Sequence, residues 1–360
     1  MLTYIAITIG LLLAMNIGGS GAAATMGPAY GSGAIAGKKT ALFLVAIGVF
    51  LGAAAGSGEV VKTIGKGIVH GDILTIEVVI VILSAATLTL FFANYIGIPL
   101  STSEVAVGAI AGAGIAFRSL YLDRLILIVF FWIAIPAAAF LLGYLLEKLK
   151  SLIDRSWPGA SKAAQRWKKQ LILLLIITGF MEAVSAGMNN AANAVGPLIG
   201  AGILEERTGI WLGGSFLAFG AVILGGKVIE TNGKKITRLS LIQGSTVSFI
   251  GASLVILASL WGFPVPLTQI TTSAILGVGT AEKGARLFQK NIIIRILKVW
   301  IVSPVMALVI SYSLILIVLK PNPYILAVII SVFISTVGCI SLYRSIRKER
   351  DTFYDQGGGV

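Results

Sequence analysis

Two short stretches of small and polar residues interrupt apolar sequence at matching places in the two halves of this chain. The first reads GGSGAAATMGP over residues 18–28, and the second reads GMNNAANAVGP over residues 187–197, 169 positions later. Hydroxyl and amide groups donate hydrogen bonds, and glycine lets backbone N–H groups approach a ligand closely. Matching polar interruptions in two apolar halves indicate a binding site at membrane depth.

Two further blocks repeat in the same order at nearly the same offset. Residues 59–65 (EVVKTIG) return as 227–233 (KVIETNG), and residues 99–104 (PLSTSE) return as 264–269 (PVPLTQ). The proline that opens each of the latter two suits the first turn of a helix, whose N-terminus attracts anions. A single block of this kind is also typical of a small-residue packing face between membrane helices. Together the blocks predict a binding site, with candidate residues Ser20, Gly21, Ala22, Ser101, Thr102, Ser103, Asn189, Asn190, Asn193, Thr268 and Gln269.

The composition places these residues in a membrane. The mean hydropathy is +0.96, 57% of the residues are hydrophobic and only 12% are charged, against about 25% charged in soluble domains. The apolar runs are continuous rather than alternating, which excludes a β-barrel. The chain is therefore expected to be an integral membrane protein whose helices contact the lipid bilayer.

Eleven apolar segments are long enough to enter the membrane as helices. Segments 2–35 and 171–204 are long and interrupted by glycine, and segments 98–117 and 264–281 begin with a proline. These four are expected to be broken or re-entrant helices, tolerated where protein or a watery cavity satisfies the backbone. The predicted fold is all-α and polytopic, with about eleven membrane-embedded units at 2–24, 41–57, 73–93, 98–117, 125–146, 171–203, 210–226, 239–260, 264–281, 299–319 and 323–343.

Lysine and arginine are distributed unequally between alternate loops. With the N-terminus outside, 22 of the 28 basic residues fall on the inner side and 6 on the outer side. Basic residues accumulate on the cytoplasmic side of membrane proteins. We therefore expect a cytoplasmic (inner) membrane protein with its N-terminus outside and its C-terminus inside. The net charge of +13 is explained by topology, so no nucleic-acid partner is predicted.

The most basic loop divides the segments into five before it, five after it and one extra. An odd number of crossings per half inverts the second half, the arrangement of transporters that alternate access to a midplane site. The predicted organisation is a first repeat at 1–146, a basic cytoplasmic loop at 147–170, a second inverted repeat at 171–320, an extra span at 321–343 and a cytoplasmic tail at 344–360.

Carboxyl groups within the apolar segments are candidates for coupling. Ionisable residues inside a membrane are functional by default, and Glu104 directly follows three hydroxyl residues. We expect Glu104 first, and Glu182 second, to carry a coupling proton. Ion pairs at helix ends are expected among the equivalent residues Glu59, Lys62, Lys227 and Glu230.

An enzyme is disfavoured by the residues that the chain lacks. The single cysteine, Cys339, excludes a multi-cysteine metal site, and the single histidine, His70, is expected in a polar outer loop. No metal and no cofactor are predicted. An anion channel stays open as an alternative from another class, because the same neutral donors could line a pore.

The duplicated stretches resemble the inorganic phosphate transporter (PiT) family. Its hallmark is a duplicated G-A-N-D-x-A-N-A-x-G stretch, which corresponds to residues 18–27 and 187–196. Its P-V-S-T-T-[HQ] stretch corresponds to the two proline blocks, and its V-x-x-T-I-x-x-G-I stretch to residues 60–68. The resemblance covers roughly residues 10–320. It implies a secondary transporter for a tetrahedral oxyanion, built from inverted repeats and assembled as a homodimer.

The chain departs from this pattern at the acidic positions. The Asn-Asp pair of the family is Ser20-Gly21 in the first copy and Asn189-Asn190 in the second, so both aspartates are absent. A carboxylate accepts the hydrogen bond that hydrogen phosphate donates, but it repels sulfate, which only accepts. The pattern resembles the sulfate permease branch of the family and implies sulfate as substrate, with a phosphate symporter as the alternative.

The same departures bear on the coupling ion and on which copy recognises the anion. Without the aspartates, proton coupling is favoured over sodium coupling. The second motif asparagine of the family is Ala24 in the first copy and Asn193 in the second. Side-chain recognition is therefore expected mainly from the second copy.

Overall fold

A computed structural model describes residues 1–96, 100–156, 166–234, 239–284, 291–321 and 324. Within these ranges the regular structure is helical, apart from one isolated antiparallel bridge between Val69 and Leu120. Short 3-10 turns lie at Ala22–Ala24 and Gly71–Ile73. The helices are α1 Leu2–Ser20, α2 Gly27–Gly31, α3 Lys38–Gly56, α4 Gly58–Lys66, α5 Ile76–Ile96, α6 Thr102–Phe117, α7 Leu122–Ser156, α8 Lys168–Gly200, α9 Glu206–Leu224, α10 Gly226–Lys234, α11 Leu241–Leu260, α12 Leu267–Lys283 and α13 Asn291–Val318.

The helices confirm an all-α polytopic membrane protein. Seven described helices are long and apolar enough to cross a membrane, and two shorter apolar helices lie at Thr102–Phe117 and Val302–Val318. Each of the first ten predicted segments contains a helix. The predicted extra span at 323–343 and the tail lie outside the described residues, apart from residue 324. The basic segment at 147–170 begins as the last turns of α7, and α8 starts within it.

The two motif copies differ in backbone. The first copy is broken as expected: α1 ends at Ser20, a 3-10 turn follows, and α2 starts at Gly27. The expected break at 171–204 is wrong, because α8 runs as one 33-residue helix through the second copy. The first copy contains four glycines and the second two, and glycine costs about 1 kcal/mol in a helix relative to alanine. The two additional glycines therefore weaken the helix in the first copy relative to the second.

Glycines let the two halves pack backbone against backbone at equivalent places. A Cβ atom on Gly52 of α3 would lie 1.9 Å from the carbonyl oxygen of Val184 on α8. At the equivalent place, a Cβ atom on Gly220 of α9 would lie 2.1 Å from the carbonyl oxygen of Met15 on α1. The helix pairs α3–α8 and α1–α9 are therefore related by the duplication. Their reciprocal contacts are Gly187 with Val49, and Gly18 with Leu217.

The second half is inverted relative to the first. The equivalent helices α6 and α12 begin side by side, because their third residues, Glu104 and Gln269, are hydrogen-bonded. α6 then ends where α7 begins. α12 ends beside the far part of α7, where Gln243 donates hydrogen bonds to both Glu147 and Glu282. Glu147 lies roughly 37 Å along α7 from its start, so α6 and α12 run in opposite directions.

The described chain divides into one unit of residues 1–312 and a second that starts at Ser313. All of the contacts above, and the predicted site residues that the structure describes, belong to the first unit. Its core is formed by the buried faces of α1, α5, α6, α8, α11 and α12. The site is therefore held by one compact body that contains helices of both repeats.

Substitution of Gly52 tests the close packing of α3 on α8. Gly52→Ala places a methyl group against the Val184 carbonyl, so the helices must separate, at a cost of about 1–3 kcal/mol. We expect the midpoint of thermal unfolding in detergent to fall by at least about 3 °C. Gly71→Ala is the control, since nothing lies within 4 Å of its Cβ position. Equal midpoints for the two variants would contradict the packing.

Candidate functional site

The two motif copies meet at Gly21 and Asn190, which occupy equivalent positions. A Cβ atom on Gly21 would lie 3.6 Å from Asn190 Nδ2 and 3.7 Å from Thr102 Oγ1. Thr102 donates a hydrogen bond of 3.1 Å to Asn190 Oδ1. Asn190 is fully buried, and Thr102 is nearly so. The duplicated motif and the first hydroxyl block therefore converge on one buried point.

The N-terminal turn of α6 presents a row of hydroxyl groups to α8. Ser101 caps the helix, its Oγ accepting from the Glu104 backbone N–H at 3.4 Å. Ser103 Oγ lies 3.3 Å from Asn189 Oδ1 and accepts from Asn193 Nδ2 at 3.0 Å. A helix N-terminus carries partial positive charge and unpaired N–H groups. Neutral donors and this dipole together make the place favourable for an anion.

The side-chain amide of Asn189 is hydrogen-bonded to protein groups. Its Nδ2 donates to Ser259 Oγ at 3.0 Å and to the Phe263 carbonyl oxygen at 2.9 Å. Its Oδ1 also accepts from the Val265 backbone N–H at 3.0 Å. These bonds tie the segment that leads into α12 to the middle of α8. The contacts give Asn189 a positioning role at the site.

Asn190 and Asn193 keep unused hydrogen-bonding capacity. Asn190 Nδ2 and Asn193 Oδ1 are buried and have no hydrogen-bond partner among the described residues. A buried polar group left unpaired costs about 1–3 kcal/mol. Asn190 Nδ2 also lies next to Gly21, where the absence of a side chain leaves space. It is therefore the donor most available to a ligand.

Glu104 and Gln269 join the two repeats next to this cluster. Gln269 Nε2 donates to Glu104 Oε1, and Ser303 Oγ of α13 donates to Glu104 Oε2 at 2.8 Å. Both members of the pair are almost completely buried. Each is the third residue of its helix, so the two positive helix ends meet here from opposite sides.

An apolar cavity of about 750 Å³ adjoins the Glu104–Gln269 pair. Helices α6, α7, α12 and α13 surround it, and its walls carry residues at equivalent positions of the two repeats. The asparagines of α8 do not line it. The cavity thus opens beside the carboxyl group and away from the amide cluster. Its lining includes Trp132, Trp300, Pro136, Pro304 and Ser273.

Glu182 forms a separate buried polar contact on α8. Its Oε1 accepts a hydrogen bond of 2.6 Å from Thr271 Oγ1 on α12. A Cβ atom on Gly251 of α11 would lie only 2.8 Å from the same oxygen. Ser248 of α11 lies close enough to interact with the same carboxyl group. The carboxyl group therefore lies where α8, α11 and α12 meet, seven residues before Asn189.

Three predicted ligands do not reach the cluster through hydrogen bonds in the described part of the chain. Ser20 Oγ donates to the Asn16 carbonyl oxygen at 2.9 Å, a bond within its own helix. Ala22 is buried and offers only its backbone, and Thr268 is half-buried with its carbonyl oxygen accepting from Thr272. Pro99, which opens the first proline block, lies outside the described residues. The first copy therefore contributes mainly the space at Gly21.

Sequence reasoning missed three partners of the site. Ser303 binds Glu104, Ser259 binds Asn189, and Thr271 binds Glu182. Ser259 and Ser303 are single hydroxyl residues within apolar runs, and Ser303 directly precedes the proline inside α13. Thr271 stands among other hydroxyl residues at 268–273. An isolated hydroxyl in a membrane helix is a weak signal, because it can also bond its own backbone.

Comparison with known proteins identifies the family of the chain. The family model described as "Phosphate transporter family" matches residues 17–311. The chain is 50% identical over 355 residues to the sulfate permease CysP of Bacillus subtilis, with 99% of each chain covered. A solved structure described as "The sodium-dependent phosphate transporter" matches with a TM-score of 0.78 and 24% identity, covering 89% of this chain and all of the other. That likeness shows the fold.

These matches span the duplicated motifs, the proline blocks and the helices that hold them. They indicate a transporter rather than an enzyme. The chain belongs to the phosphate transporter family.

Proposed function

We propose that this inorganic anion transporter imports sulfate, held between the first turn of α6 and the asparagines of α8. The observation that carries the proposal is the buried, unpartnered Asn190 Nδ2 beside Gly21. Thr102 and Ser103 flank that point with hydroxyl groups. A tetrahedral anion placed there meets donors from the second motif copy and the positive end of α6.

The charge of the site favours sulfate over phosphate. Gly21 and Asn190 leave this point without a carboxylate, so a fully ionised dianion meets no fixed negative charge there. The name of the sulfate permease relative supports the same substrate. Phosphate is the second candidate, because the buried Asn193 Oδ1 could accept the hydrogen bond that hydrogen phosphate donates.

Competition between the two anions tests the choice of substrate. In proteoliposomes, unlabelled sulfate should suppress uptake of labelled sulfate at least about tenfold more effectively than phosphate does, a difference of about 1.4 kcal/mol. Efficient phosphate uptake that excess sulfate fails to inhibit would establish the phosphate alternative instead. Accumulation above the equilibrium level would separate a transporter from an anion channel.

Removal of the unpartnered amide tests the location of the site. Asn190→Ala deletes a hydrogen bond to a charged ligand, worth about 1.5–3 kcal/mol, so the KM for sulfate should rise about 10- to 100-fold. Ser20→Ala is the matched control from the first copy, because its hydroxyl bonds within α1, and its KM should change by less than about twofold. Equal effects of the two variants would place the anion elsewhere.

Sulfate import also needs an energy source, and Glu104 can supply the coupling. Moving two negative charges inward costs roughly 4.6 kcal/mol per 100 mV of negative-inside potential. Glu104 shares the first turn of α6 with the hydroxyl groups, so its negative charge would repel the dianion. Protonation of Glu104 removes that repulsion, and each ligand therefore favours binding of the other. This linkage is what a proton symporter requires.

Glu182 is the second candidate for the coupling proton. It is buried on the same helix as the asparagines and contacts α12 through Thr271. Glu104 lies in the first turn of α6 with the hydroxyl groups, whereas the Glu182 carboxyl group bonds to Thr271 of α12, so its charge is expected to act less directly on the anion. Sodium stays the less favoured coupling ion, because both motif aspartates are replaced.

Neutralising Glu104 should uncouple transport without removing the site. Glu104→Gln mimics the protonated carboxyl group, so sulfate exchange between labelled and unlabelled pools should persist. Accumulation driven by an inward proton gradient should be lost. Glu182→Gln, assayed in parallel, should keep the gradient-driven accumulation. Full proton-dependent uptake by Glu104→Gln would remove Glu104 from the coupling role.

The remaining features of the transporter follow from the loop charges and the family resemblance. We place it in the cytoplasmic membrane with the N-terminus outside, supported by the 22 basic residues that this topology puts inside. The repeats at 1–146 and 171–320 would alternate access to the site by rocking against each other. A homodimer stays a prediction of the resemblance.

A further inference from the structure

Two charged clusters occupy equivalent places at opposite ends of α3. The Lys38 cluster comprises Lys38, Gly226, Lys227 and Glu230, and the Glu206 cluster comprises Glu206, Gly58, Glu59 and Lys62. Each residue of one cluster lies 168 positions from its counterpart in the other, with every charge reversed. α3 has 19 residues, so its ends are about 28 Å apart.

In the Lys38 cluster, the ion pair joins the two repeats. Lys38 Nζ of α3 lies 2.8 Å from Glu230 Oε1 of α10. The lysine side chain passes over the first residue of α10, where a Cβ atom on Gly226 would lie 3.0 Å from Lys38 Cε. The start of α3 and the start of α10 are therefore held together at this end.

In the Glu206 cluster, the equivalent cross-repeat pair is not made. Glu206 reaches over the first residue of α4, with its Oε1 3.1 Å from the position of a Cβ atom on Gly58. Lys62, the counterpart of Glu230, lies instead 2.6 Å from Glu59 Oε1 on its own helix. Glu206 acts on Lys62 only through its charge at a distance. The cross-repeat ion pair is thus formed at one end of α3 and not at the other.

We propose that Glu230 and Lys62 form their cross-repeat ion pairs alternately during transport, so that only one of the two pairs exists at a time. When the Lys38–Glu230 pair closes one end, Lys62 rests on Glu59. When the Glu206–Lys62 pair closes the other end, Glu230 moves away from Lys38. Inverted repeats make the two states equivalent by exchanging the roles of the halves, and reversed charges keep the two pairs alike in strength.

These ion pairs are weak enough to break and form again in each transport cycle. The side chains of Lys38 and Glu230 are 36% and 45% exposed, and exposed ion pairs contribute little to stability. Each pair can therefore break at every cycle, yet it biases the equilibrium between the two states. The inference depends on the alternating access proposed above, but it does not depend on which anion is carried.

Disulfide formation measures the coupling between the two ends. Cysteines replace Lys62 and Glu206 in a Cys339→Ser background, and the initial rate of oxidative cross-linking is measured in membranes. Lys38→Glu is then introduced in the Lys38 cluster at the other end of α3, where it places a second carboxylate next to Glu230. The cross-linking rate should rise about two- to fivefold, because loss of the Lys38–Glu230 pair favours the state in which the other end closes.

Matched variants decide between this coupling and a general charge effect. Lys39→Glu makes the same change at the neighbouring exposed residue and should leave the rate unchanged. Adding Glu230→Lys to Lys38→Glu recreates the pair with reversed charges and should restore the starting rate. An unchanged rate with Lys38→Glu, an equal rise with Lys39→Glu, or no restoration would each overturn the proposal. Since the readout is a disulfide, failure of sulfate uptake in the parent would count against the proposed function alone.

Discussion

Buried polar groups at membrane depth must find partners inside the protein or in a ligand, and this requirement organises the structure. Lipid offers no hydrogen bonds, so each unsatisfied group is costly. The amides of α8 are therefore tied to the hydroxyl groups of α6 and to the segment before α12. The polar atoms that stay without a hydrogen-bond partner among the described residues, principally Asn190 Nδ2, are available to bind an anion.

Duplication supplies the frame for this arrangement, and the two motif copies differ within that frame. The glycine contacts of Gly52 and Gly220 are nearly superimposable in distance, so they reflect the common ancestral packing. The motif copies have diverged, since the first is broken and lacks amides while the second is one helix with three asparagines. One copy therefore provides space, and the other provides donors. The pairing of Glu104 with Gln269 shows the same division, with one equivalent position acidic and the other neutral.

Much of the fold could be predicted from the sequence, because apolar length and repeated motifs are local features. The first ten apolar segments contain helices, and the meeting of Thr102 with Asn190 follows from the repeated blocks. The continuity of α8 was not predicted, since both copies contain glycine and end in proline, and a difference of two glycines does not by itself distinguish a continuous helix from a broken one. Long-range partners were also out of reach: nothing local to Glu104 indicates Ser303, 199 positions away. Such contacts depend on how helices of the two repeats face each other.

Uptake of labelled sulfate into proteoliposomes, with proton and sodium gradients imposed separately, tests the central claim most directly. We expect accumulation of sulfate driven by an inward proton gradient and little change with a sodium gradient at constant pH. Accumulation that follows the sodium gradient alone, or sulfate movement that never exceeds equilibrium under either gradient, would contradict it.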